Sequence, residues 1–357
     1  MKIIPEKIRI LFLLINFFCA FSFSQAEPIE VFLEGKKVTD IKNDGVDIWV
    51  ATEGNGIYKY VKWKNKWINY STENKKIKQD FFYCIEVGPR YVWAGSADGL
   101  YTYDKKRNRW SKKRFSLGGQ FGNWIRSLEF DKAEKKLWIG RFKYLSQFDL
   151  ITKKYSSFNL TINKNEKTNS VKSLTLDGDS IIWIGVEAGL HKHLKNDSSF
   201  STVFYDSKSN YFLEEGDQVS ITDILFEQNN IWFATDEFVT PQNPDFNIGG
   251  LFRYDRGINW IKFSEHSKLS GSGIFSLALT GNYIWTSVYK FDPETKNVIG
   301  KGLNLINRRT LKTAKVNNNL IPDTIYSLHF DGNNMWIGTN DGIRKINLKS
   351  LLIPDLN

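Results

Sequence analysis

The sequence predicts an all-β fold: a seven-bladed β-propeller with four antiparallel strands per blade, its ring closed by the N-terminal strand completing blade 7. A tryptophan between aliphatic and small residues recurs seven times, as in Ile48-Trp49-Val50-Ala51-Thr52 and Met335-Trp336-Ile337-Gly338-Thr339. The copies, Trp49, Trp93, Trp138, Trp183, Trp232, Trp285 and Trp336, are 44, 45, 45, 49, 53 and 51 residues apart. A period of about 45 residues, with room for about four short strands, marks a propeller blade. Aromatic residues make up 15% of the chain, and flat, bulky side chains are what fill the space between stacked sheets.

Each element can be read in turn. The first strand of a unit is apolar, as in Val171-Lys172-Ser173-Leu174-Thr175-Leu176-Asp177. Its third position is always small: Asp40, Cys84, Ser127, Ser173, Asp223, Ser276 and Ser327. This strand lies nearest the axis, where blades converge, so small residues there are a packing requirement, and Cys84 is expected to be a buried structural thiol. A tight turn follows, such as Asp177-Gly178-Asp179 or Asp331-Gly332-Asn333-Asn334. Next comes the Trp strand, with each Trp expected to anchor one blade to another. The third strand opens with Gly56, Gly99, Gly189, Gly250, Gly302 or Gly342, and blade 3 departs with Arg141-Phe142-Lys143-Tyr144-Leu145. The fourth strand varies most. The last unit supplies only three strands, and the orphan strand at residues 29–33 is expected to complete it and remove an open edge.

The repeat runs as one domain over residues 27–357, behind a segment of different character. Lys2, Lys7 and Arg9 precede an apolar run from residue 10 to 21, and Ser24-Gln25-Ala26 offers a small-x-small cleavage site. Residues 1–26 therefore read as a secretory signal peptide, with no membrane span in the mature chain. The expected location is the bacterial periplasm or cell surface. Only Cys84 remains after cleavage, so no internal disulfide is expected. Formal net charge is +10, with the densest basic run at residues 105–114. That run falls on the outermost hairpin of blade 2, where Lys and Arg protect an exposed edge; contact with an anionic surface is the alternative. Nucleic acid is not an expected partner of an exported protein.

The segment Leu320-Ile321-Pro322-Asp323-Thr324-Ile325-Tyr326-Ser327-Leu328, followed by Asp331-Gly332, Met335-Trp336-Ile337-Gly338-Thr339 and Gly342-Ile343, resembles the two-component regulator propeller repeat. The resemblance covers residues 29–347, strongest in units 4 and 7. It implies a periplasmic sensing propeller of the kind found in hybrid histidine kinases, often responding to glycans. No kinase or DNA-binding region follows the repeats before Asn357, so a separately encoded sensor kinase or envelope protein is the expected signalling partner.

Segments 206–220, 236–249 and 288–301 exceed the repeat and map to one face, where recognition loops are expected. They carry Tyr211, Phe212, Glu214, Glu215, Asp245, Phe246 and Phe291 among others. The expected ligand-binding residues around this mouth are Glu53, Trp124, Arg141, Tyr144, Glu187, Asp236, Phe238, Tyr289, Lys290, Asn340 and Asp341. Aromatic faces beside carboxylates and amides suit sugar rings, and they suit a protein partner equally well. Catalytic signals are weak: no CxxC, HExxH, GxSxG or phosphate loop occurs, and no catalytic residue, metal or cofactor is expected. His191 and His193 take slots filled by Tyr58 and Tyr60 in blade 1 and read as packing residues. The reading that follows is a noncatalytic module for a glycan or other small ligand. A protein-interaction scaffold in the cell envelope and a propeller lyase or hydrolase are the alternatives.

Overall fold

The computed structural model describes residues 29–208, 212–213 and 218–348. Seven four-stranded antiparallel sheets stand around a central channel. The first strands of blades 1 to 7 are Val38–Asn43, Phe82–Val87, Ile125–Asp131, Val171–Asp177, Ile221–Glu227, Gly273–Thr280 and Ile325–Phe330. Blade 7 takes its outer strand from the other end of the chain: Ile29–Phe32 pairs antiparallel with Gly342–Asn347, Ile29 opposite Ile346 and Phe32 opposite Ile343. The signal-peptide expectation for residues 1–26 lies outside the described residues.

Each repeat tryptophan is at most 3% exposed and packs against the first strand of the following blade. Trp49 joins Phe82 and Ile85 of blade 2, and Trp336 joins Val38 and Ile41 of blade 1 across the closure. In five blades the indole N–H also has an acceptor near the end of its own first strand: Asp44, Asp177, Glu227, Thr280 and Asp331. The Asp-rich turns thus do more than reverse the chain. Trp93 and Trp138 have buried indole nitrogens with no partner among the described residues.

The six repeat glycines at the start of the third strand all have positive φ, and a Cβ on Gly56 would lie 2.1 Å from the Tyr70 carbonyl oxygen. Tyr144 fills the seventh slot with φ +76, so blade 3 keeps the left-handed backbone at a steric cost that glycine avoids.

One feature of the first strands escapes the sequence pattern. The register slips at the same place in all seven, from Val38/Asp40 in blade 1 to Ile325/Ser327 in blade 7. A bulge frees one residue from the ladder and re-aims its side chain. The freed residues are Thr39, Tyr83, Arg126, Lys172, Thr222, Phe275 and Tyr326, and all seven line the channel. The small residues one step further in also clip blades together: Asp40 accepts from the Ile85 N–H at 2.9 Å, Asp223 from Leu277 at 2.8 Å and Ser276 from Leu328 at 3.2 Å.

Segments 236–249 and 288–301 are not loops, as the broken period suggested, but prolonged β-ladders. In blade 5, Asn230–Thr240 pairs with Asn243–Tyr254, and in blade 6, Tyr283–Asp292 pairs with Asn297–Asn307. Apolar residues still alternate with polar ones in 245–248 and 289–292, and each strand of a hairpin arm finds its partner in the other. Of segment 206–220, Phe212 is fully buried against Phe233, Phe252 and Trp260. Tyr211, Glu214, Glu215 and the side chain of Asp245 lie outside the described residues. The basic run at 105–114 does form the outer hairpin of blade 2, with Lys112 and Arg114 both paired to Asp98.

Candidate functional site

The two hairpin arms meet over the junction of blades 4, 5 and 6 and enclose a cavity of about 470 Å³. Its walls come from the arms (Asp236, Glu237, Phe238, Phe246, Asn247, Tyr289, Phe291, Val298), from the crossover into blade 5 (Gln218, Ser220) and from blade 4 (Lys167, Lys172, Glu187). It adjoins the central channel of about 490 Å³, and Lys172 lines both.

Tyr289 ties the arms together. Its hydroxyl donates to Asp236 Oδ1 at 2.8 Å and accepts from the Glu237 N–H at 3.2 Å. Glu237 Oε2 in turn accepts from the Phe291 N–H at 2.9 Å, and the Phe238 and Phe291 rings lie 4.5 Å apart. Phe238, on this wall, remains 44% exposed.

Charges at the cavity floor come as pairs. Lys172 is ion-paired with Asp236, which also accepts from Ser220 Oγ at 2.9 Å. Glu187 is met from the channel side by Arg126, Nη1 to Oε1 at 2.6 Å. Burial, and then the Arg126 guanidinium, push Lys172 down to about 7, with Glu187 opposing. The direct contact with Asp236 acts in the same sense as Glu187 and favours the charged form. Burial raises the Glu237 carboxyl above its ordinary range.

Four of the expected binding residues, Glu187, Asp236, Phe238 and Tyr289, are brought together in this cavity. The others are placed elsewhere. Arg141 is completely buried: its guanidinium donates to the carbonyls of Leu117 and Gly122 at 3.0 and 2.8 Å and lies over the Phe115 ring, so it holds the crossover into blade 3 rather than facing the opening. Burial lowers its pKa to about 10. Tyr144 packs beside it, 5.5 Å from ring centroid to guanidinium. Trp124 stacks on Phe142 at 5.2 Å and lies 5.6 Å from Tyr83. Glu53 pairs with Lys37 at 2.6 Å, and Lys290 with Glu265 at 3.0 Å on the outside of the blade 6 arm. Asp341 accepts from the Gly35 N–H at 2.8 Å and pairs with Arg344, while exposed Asn340 donates its backbone N–H to Thr324. These contacts fasten loops.

Sequence reasoning named Phe246 among the aromatics of the recognition segments but missed Lys172, Asn247 and the bulge residues as a group. The signal was available for the last: the residue before each small third position is polar or aromatic in every blade. Asn247 is 7% exposed, and its side-chain oxygen has no hydrogen-bond partner among the described residues.

The channel below is lined by Lys42, Glu129 and His329 from three first strands, and Lys42 lies 3.8 Å from Glu86. Burial raises Glu129 to about 8, with Glu86 adding to the effect. Burial and Lys42 hold His329 neutral, at about 3. No group of three or more His, Cys, Asp or Glu among the described residues is placed to hold a metal ion. His191 is buried between the Thr168 carbonyl, at 2.8 Å, and Thr202 Oγ1, at 3.1 Å, as a packing residue would be. Cys84 is buried and free, and burial pushes its thiol up.

No family model and no curated protein matches this chain. Solved structures do. One is described as the extracellular domain of the hybrid two-component system BT3049 of B. thetaiotaomicron (18% identity, TM-score 0.69, 90% of this chain and 41% of that one). Another is the extracellular domain of BT4673, described as a one component system of the same organism (17%, TM-score 0.67, 90% and 40%). A third is virginiamycin B lyase from Staphylococcus aureus (12%, TM-score 0.64, 90% and 99%). The chain thus spans about two fifths of the two extracellular domains and nearly all of the lyase. At these identities the likeness is one of fold, and the fold is shared by sensors and an enzyme alike.

Proposed function

We propose that this chain is a noncatalytic recognition propeller of the two-component regulator type, binding a glycan or other small ligand in the cavity between the arms of blades 5 and 6. The observation that carries this reading is the cavity itself. It is built by two hairpins that the other five blades lack, and its wall sets an open phenyl ring beside carboxylates and an amide. Propeller scaffolds tolerate such additions only at loops, where they cost the closed core nothing. Export to the periplasm or surface follows from the N-terminal segment, and a separately encoded kinase or envelope protein would carry the signal onward. No helix among the described residues is long and apolar enough to cross a membrane.

A thermal-shift screen of the cleaved protein against a broad glycan set tests the reading. Saturable stabilisation that disappears on Phe238→Ala supports it. Hits that persist unchanged in that variant place the ligand elsewhere.

A protein partner is the second reading, favoured by Phe81, Leu117, Phe121 and Leu320. All are 47–50% exposed, and all lie in crossovers that share a face with the hairpin arms. Failure of the glycan screen together with a partner that co-purifies in constant ratio would favour it.

A further inference from the structure

The chain as a whole carries a formal charge of +10, which would draw acidic ligands to it. The cavity is built against that trend. Arg126, on the channel side of the wall, is held by Glu187 at 2.6 Å, and Lys172 by Asp236, which is further engaged by Ser220 and by Tyr289 at 2.8 Å. An anionic group reaching either cation would have to displace a carboxylate and leave it half-buried without a partner. The remaining cation, Lys167, lies over the Phe246 ring at 4.4 Å and donates to Gln218 Oε1 at 3.3 Å.

Asn247 adds an independent requirement. It is more than nine-tenths buried, lines the cavity, and carries a side-chain oxygen with no hydrogen-bond partner among the described residues. A buried acceptor of this kind is costly until a donor reaches it. A hydroxyl can donate to it; an ionised carboxylate or sulfate cannot. The Phe238 ring, 44% exposed on the same wall, offers an apolar face for ring C–H groups.

We infer that this cavity selects an uncharged, polyhydroxylated ligand, a neutral sugar chain rather than an acidic one, with one ligand hydroxyl donated to Asn247 Oδ1. The inference rests on the glycan reading above and narrows it to one charge class.

Isothermal titration of the whole cleaved protein tests it with two probe sets: neutral oligosaccharides (gluco-, xylo-, manno- and arabino-) and acidic ones (oligogalacturonate, oligoalginate, heparin fragments). The expected result is binding within the neutral set only. Asn247→Leu should weaken it by about tenfold or more, and Asn247→Asp, which keeps an acceptor in the same place, should retain most of it. Melting curves of both variants establish that each is folded; should Asn247→Leu fail to fold, Asn247→Ala takes its place. Binding confined to the acidic set overturns the charge selection while the glycan reading stands. Neutral binding that Asn247→Leu leaves unchanged overturns the Asn247 anchor. Silence from both sets overturns the glycan reading and the inference with it.

Discussion

The indole N–H of Trp336 donates to Asp331 Oδ2 at 2.8 Å, fastening the centre of one strand to the turn that precedes it. Asp331 also accepts from the Asn333 and Asn334 N–H groups, at 3.0 and 2.8 Å. Burial alone would raise this carboxyl, but the donors outweigh it and hold the group down at about 2. A carboxyl depressed in the folded state contributes stability that is present above its unfolded value, near 3.8, and lost as the pH falls through the folded one. With solvent screening allowed for, the wild type should therefore lose on the order of 1 kcal/mol through this group as the pH falls from about 4 to 2. Asp331→Asn should be less stable at neutral pH by a similar amount and should lack that acid-range step. Urea unfolding at several pH values measures both; equal acid sensitivity in the two proteins would sink the assignment.

Closure of the ring depends on four residues. Ile29 is 2% exposed, and Phe32 packs on Tyr60, Trp67 and Trp336 with ring centroids 5.6 to 6.0 Å apart. Removing the strand exposes that aromatic group and the free edge of Gly342–Asn347. Deleting residues 27–34 from the cleaved protein should cost on the order of 3–5 kcal/mol in urea unfolding, from lost apolar burial alone. A melting temperature unchanged by the deletion would mean that blade 7 does not need its outer strand.

The channel gives a second pH dependence, of opposite sign. Burial raises Glu129 to about 8, so between its unfolded value near 4.5 and about 8 the folded protein binds the extra proton. Stability contributed by this group is full at the acid end and falls as the pH rises through that window. The channel is partly solvated, which limits the effect to about 1 kcal/mol. Glu129→Gln should flatten the decline in melting temperature between pH 5 and pH 8. A variant with the same slope as wild type would assign the decline to other groups.

How much of this was legible follows from which features repeat. The tryptophans, the positive-φ glycines and the small residues of the first strands recur once per blade, so alignment of the units exposes them. Tyr144 shows the limit: alignment marks blade 3 as an exception, but only the backbone reveals that the left-handed geometry persists there. The seven bulges change no residue count that a period could detect, although they decide which side chains enter the channel. The hairpin arms break the period, and a broken period reads as loop when it is in fact a longer ladder. Arg141 is held by the distant crossover at 115–124, and Asn247 lines a cavity whose far wall is the arm of blade 6. No local pattern around either residue carries that information.

Tyr289 is where the site and the fold are joined, and it yields the last prediction. Its hydroxyl is the only atom that bonds both Asp236 and the Glu237 N–H among the described contacts, and both lie on the opposite arm. Tyr289→Phe keeps the ring and its stacking on Phe275, 4.2 Å away, while removing that link. The Glu237 N–H keeps its place in the ladder opposite Ile248 but loses the hydroxyl, and Asp236 keeps Lys172 and Ser220. Losing a buried hydroxyl–carboxylate hydrogen bond of this kind costs about 1 kcal/mol. The loss should appear locally, because the arms stand outside the closed ring of blades: faster hydrogen exchange in residues 236–240 and 288–292, with the inner strands unchanged. Ligand affinity should fall as well, since the cavity walls are those same arms. Unaltered exchange in both arms would show that the apolar contact of Phe238 with Phe291 holds them without the hydroxyl.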